Sequence, residues 1–280
     1  MTSPGSVLPR QSLSISVLAL ALVSRLALAN SNIVTPLEKT PPADEVLAFA
    51  STPPWESSLP INQLKRDDLL LFLREGVRHG PEFSREKFSP EKNSENVWCT
   101  GVFFTREGAA YYWSLWDRQT LFLVTTDYRG CYLTLKTSSV QPEQVLRGRD
   151  EFRPLAAPTA NDLRYFANAD RPATGFQISR TKGDIDRFLR HGKVFHCTTS
   201  SQQFEIQGRA RLTLPPILGK RLRGVVETDA AGRICLLGAD LHVGGTLMTK
   251  DARVIFWEQW GDDVIQLSDS TGAECVLQIP

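Results

Sequence analysis

The sequence predicts an α+β protein of two tandem repeated units, each a short helix packed on an antiparallel β-meander. Three observations lead there. Residues 101–135 and 245–279 match in one register 144 positions apart. Gly-Val-Phe-Phe-Thr-Arg-Glu from Gly101 falls on Gly-Thr-Leu-Met-Thr-Lys-Asp from Gly245, Trp113 and Trp116 fall on Trp257 and Trp260, and Cys131 falls on Cys275. Four of the six Trp lie in this ungapped register, and self-similarity at a fixed spacing decides architecture before any local assignment. Both segments alternate apolar and polar residues between turn signals, as half-buried strands do. Finally, a Phe-Leu-Arg-x-Gly helix end occurs twice, at Phe72–Gly76 and at Phe188–Gly192.

Residues 1–29 read as a secretory signal. Arg10 gives a positive start, Val17 to Val23 is uninterrupted apolar sequence, and Ala27-Leu28-Ala29 has the small-x-small form of a cleavage site. The apolar run is too short to span a bilayer of roughly 30 Å, so no stable membrane insertion is expected after signal removal. Residues 30–60 are rich in Pro, Ser, Thr and Glu, and predict an extended, mobile leader.

The first unit is expected over 61–135. Its helix begins at Asp67-Asp68, whose acids suit a capping role, and stops at Gly76, a residue suited to the left-handed position after a helix. The meander follows as strands 101–105, 109–116, 120–126 and 131–135, with turns at 106–108 and 117–119. Leu121, Leu123, Cys131, Leu133 and Leu135 match Ile265, Leu267, Cys275, Leu277 and Ile279. Apolar in both segments, these positions predict the core face. Residues 136–178, with four Pro and a short helix expected near Asn161–Asn168, predict a surface linker. The second unit, 179–280, opens on a helix with Asp184 in a capping role. It carries about 28 extra residues before its meander, with strand signals at 209–214, 221–228 and 233–242.

Composition narrows the function. Lys plus Arg at 32 against Asp plus Glu at 31 shows none of the basic excess of a nucleic-acid binder, and none is expected as a partner. The five Cys and four His fit no zinc-ligand spacing, so neither metal nor cofactor is assigned. An exporting compartment permits disulfides, and Cys99 and Cys131, at the two ends of the first meander, are expected to bridge or approach closely. Cys275 is expected to pair outside its meander, because Val243 stands at the position matching Cys99.

Arg78-His79-Gly80 and Arg190-His191-Gly192 resemble the Arg-His-Gly signature of histidine phosphatases, whose His sits at the end of a buried parallel strand beside a phosphate-clamping Arg. A helix stop and antiparallel meanders supply no such strand, and no catalytic residue is assigned. In Trp-x-x-Trp the two rings point to opposite faces of a strand, which suits a sheet covered on both sides, by its helix and by the other unit. Tyr111, Tyr112, Phe122, Tyr128 and Tyr132 match Ile255, Phe256, Gln266, Gly272 and Val276. That aromatic surplus makes Tyr112, Trp116, Phe122 and Tyr132 the expected contact surface for a protein partner. The sequence therefore predicts an exported, non-enzymatic binding protein of the periplasm or exterior, of inhibitor or immunity type. The alternative is a secreted hydrolase with its site between the units.

Overall fold

The computed structural model describes residues 34–52, 61–83, 99–145, 153–168, 180–195, 225–228, 234–237, 241–260 and 264–279. The expected signal peptide, the strand at 209–214, and residues His196 and Cys197 lie outside them. The described chain is mixed α/β, mostly strand, with two helices and antiparallel sheets.

The first sheet is a meander of four strands: β5 (Cys99–Thr105), β6 (Ala110–Asp117), β7 (Thr120–Thr125) and β8 (Arg129–Thr134). These bounds follow the alternation and turn residues of the sequence within two residues. Strand β2 (Val46–Ser51) pairs antiparallel with β5 and extends the meander at one side. At the other side β8 takes two short partners end to end, β1 (Thr35–Pro36) in parallel and β4 (Val77–His79) antiparallel. The second sheet runs β10 (Leu163–Asn168), β14 (Leu241–Thr249), β15 (Val254–Trp260), β16 (Val264–Asp269), β17 (Glu274–Gln278), β11 (Lys193–Phe195). Two small ribbons complete the strands: β3 (Ile61–Gln63) with β9 (Glu143–Val145), and β12 (Val225–Thr228) with β13 (Ile234–Leu237).

Helix α1 (Arg66–Glu75) buries Leu69 and Phe72 in a core with Leu115, Leu121, Leu123, Cys131 and Leu133. Helix α2 (Lys182–His191) does the same with Ile185 and Phe188 against Trp257, Ile265, Leu267, Cys275 and Leu277. The expected core face is thus the face each sheet turns to its helix. A third cluster joins the opposite faces of the two sheets: Val102, Phe104, Tyr112, Trp116 and Phe122 of the first with Ala167, Met248, Val254 and Phe256 of the second. The layers run helix, sheet, sheet, helix. Trp113 packs on the helix side and Trp116 in the layer between sheets, so both sides of this sheet are covered.

Four local expectations are corrected. The leader is not an extended, unpaired segment throughout, because Val46–Ser51 forms a ladder with β5 and is buried on both faces, Val46 on the helix side and Ala48 and Ala50 between the sheets. The helix expected near Asn161–Asn168 is a 3-10 turn, Ala160–Asp162, followed by strand β10, whose backbone finds a ladder on β14. Lys65 precedes α1 without a side-chain cap, so Asp67 and Asp68 lie in the first turn rather than capping it, whereas α2 has a full capping box in which Thr181 and Asp184 bond reciprocally. Gly76 is extended (φ −66°), not left-handed. Glycine is required there by close approach: a Cβ would stand 2.4 Å from the Phe72 carbonyl oxygen and 3.1 Å from Leu133 Cβ.

Candidate functional site

Period-two alternation along β6 puts Tyr112, Ser114 and Trp116 on one face, and the register Ser114↔Phe122↔Tyr132 carries that face across β7 and β8. The four expected contact residues are therefore brought together. Phe122 and Tyr132 lie 4.6 Å apart between ring centroids, Trp116 meets Tyr132 edge-on at 6.1 Å, and Phe83 leans on Tyr132 at 5.7 Å. The cluster is an interior, however. Tyr112 is 4%, Trp116 1%, Phe122 2% and Tyr132 1% exposed. The Tyr112 hydroxyl stands 3.4 Å from Thr246 Oγ1 of the second sheet. The expectation of an exposed contact surface at Tyr112, Trp116, Phe122 and Tyr132 is overturned: alternation told which residues share a face, and the second sheet and the chain around Phe83 close over it.

The second sheet's corresponding face is built differently. Along β15 to β17 it carries Glu258, Gln266, Ser268 and Glu274, with Glu258 opposite Gln266 and Ser268 opposite Glu274 in register. Gln266 Nε2 donates to Glu274 Oε2 at 3.1 Å, and Glu258 is only 6% exposed. Two carboxylates, an amide and a hydroxyl on one sheet face make a hydrogen-bonding surface suited to holding polar groups by position. The signal for it was the Phe122-to-Gln266 mismatch, which pointed attention to the wrong sheet. A second polar substitution lies at the start of α2. Asn168 accepts from Arg180 N and donates to Arg180 O, and Arg180 Nε donates to the buried amide of Gln259. In the first sheet the comparable place is apolar, with Leu64 and Leu115 in the core and Ser51 Oγ donating to Leu64 O.

The remaining candidates take structural roles. His79 lies in β4, where Nε2 is 2.8 Å from Thr134 Oγ1 and the ring stacks on Phe83, while Arg78 donates to the Leu37 carbonyl. Arg190 is paired with Asp186 one helical turn away, and His191 is exposed at the helix end. Neither Arg-His pair forms a phosphate clamp. Cys99, Cys131 and Cys275 are buried free thiols, each pushed up to about 12 by burial, which holds them protonated and unreactive. The expected Cys99–Cys131 contact fails because β6 and β7 lie between their strands. Three inter-strand steps place them on the order of 14 Å apart, beyond the reach of a disulfide at about 7 Å between Cα atoms. Among the described residues no His, Cys, Asp and Glu group is arranged to hold a metal ion, and no helix is long and apolar enough to cross a membrane.

The comparisons add no identity. No family model, no curated protein and no solved structure matches this chain.

Proposed function

We propose that the chain is one helix-on-meander unit duplicated, and that it works as an exported, non-enzymatic binding protein whose partner is another protein. Support for the duplication comes from backbone geometry. Both sheets share a strand path, a meander flanked by β2 and β4 in the first and by β10 and β11 in the second, with β1 an additional strand of the first. Phe49 stacks on Trp113, which lies over Gly101; Phe166 stacks on Trp257, which lies over Gly245, with centroids 5.5 Å apart in each pair. The indole N–H of both Trp has no hydrogen-bond acceptor among the described residues. All four left-handed residues described, Gly108, Tyr128, Ala252 and Gly272, fall into two pairs at the 144-residue spacing. Leu37 N donates to Gly130 O and Leu155 N to Glu274 O, each after a Pro, which supports copies that begin earlier than 61 and 179, at about 34 and 153.

The observation that carries the binding reading is the apolar packing between the sheets. Phe104, Tyr112, Met248 and Phe256 fill the layer where β5 and β6 face β14 and β15, and leave a hydrolase acting between the units no cleft at that part of the seam. The three described thiols lie in the helix-side cores, buried and protonated, so none serves that layer as a nucleophile. Recognition then falls to outer surfaces, and the helices differ there: the half-buried Leu70 and Leu71 of α1, packed at the edge of its core, stand where α2 has Asp186 and Arg187. The expected export signal, the near-neutral charge and the lack of a basic footprint support a periplasmic or secreted protein that takes no nucleic acid and has no stable membrane insertion after signal removal. The test is affinity capture with the full chain from the envelope fraction, then reconstitution of the purified pair. A stoichiometric protein partner that binds the purified chain supports the reading. Turnover of ester, glycoside or phosphate substrates by the purified chain, with no protein partner captured, overturns it in favour of the hydrolase.

A further inference from the structure

We draw no further inference here: the strongest candidate, the polar inner face of the second sheet around Glu258, Gln266 and Glu274, carries none, because nothing in the structure shows what covers it.

Discussion

Replacing Phe122 with glutamine, the residue at the matching position of the second sheet, tests whether the aromatic face is an interior. Phe122 is 2% exposed, and its ring touches Tyr132 and lies against Gly130. Losing the buried ring removes about 1.5–3 kcal/mol of transfer free energy. An amide set among Tyr132, Trp116 and Val124, with the Ser114 hydroxyl opposite it in register, is left short of partners, which adds about 1–3 kcal/mol. The expected cost of Phe122→Gln is therefore about 2.5–6 kcal/mol, a large share of the 5–15 kcal/mol that holds a typical domain folded. The reverse exchange, Gln266→Phe, acts on a half-buried residue and breaks one hydrogen bond to Glu274, so it is expected to stay within about 1 kcal/mol of the parent. Equilibrium urea unfolding followed by Trp fluorescence reads both, and the melting temperature of Phe122→Gln should drop by roughly 5–24 °C. A cost below about 1 kcal/mol for Phe122→Gln, or equal costs for the two exchanges, would refute the interior assignment and return Phe122 and Tyr132 to the surface.

Gly101→Ala should destabilise by about 3 kcal/mol or more, because the new Cβ would stand 2.2 Å from the Ala50 carbonyl oxygen and 2.3 Å from Trp113. Gly183→Ala meets only Thr181 Oγ1 at 3.5 Å and should instead stabilise by up to about 1 kcal/mol; thermal melts of the two variants with opposite signs check both. Cys99, Cys131 and Cys275 should resist thiol reagents in native protein and react only on unfolding, and peptide maps without reductant should show no bridge among the three. Their pKa is raised on folding, so their contribution to stability is complete below about pH 9 and declines as pH rises towards 12, at up to about 1.4 kcal/mol per pH unit for each thiol. Thr181→Ala should cost about 1 kcal/mol through the lost cap of α2, read by denaturant midpoint. Hydrogen bonds from the Thr181 backbone and hydroxyl hold Asp184 below the usual carboxylate range, so the cap's share of stability is present above about pH 4 and fades as pH falls through that lowered value; a Thr181→Ala variant whose acid transition matches the parent's would contradict this.

What could be read from sequence follows from how local each signal is. The meanders were legible because a period of two, bounded by Thr105-Arg-Glu-Gly108 and Asp117-Arg-Gln, is a property of neighbours. Strand β2 was hidden because Val46-Leu-Ala-Phe-Ala-Ser51 is apolar on both faces, as a strand covered on two sides is, and small Ala residues fill its interior positions. Strand β10 read as a helix because Leu163-Arg-Tyr-Phe-Ala-Asn168 shows its pattern only once β14 is beside it. Cys99 and Cys131 looked like neighbours because they end the same meander, yet a meander sets its first and last strands farthest apart. The candidate site failed for a different reason. Tyr112, Trp116, Phe122 and Tyr132 do share a face, but whether a face is surface or core depends on residues more than a hundred positions away, such as Met248 and Phe256.

The layer shared by the two sheets also sets a schedule. The first meander is complete at Thr134, while Val254 and Phe256, which close against its inner face, follow some 120 residues later. At ribosomal rates of about 5–20 residues per second, that interval is roughly 6–24 seconds. Throughout it the nascent chain can finish one sheet but cannot bury Tyr112, Trp116 and Phe122, so the half-made molecule displays an aromatic plane to any chaperone or aggregating neighbour. Export in an unfolded state, as proposed above, would shorten that interval, because both halves would then reach the folding compartment within one passage of the chain. The geometry of the seam thus ties productive folding of this protein to when its second half arrives.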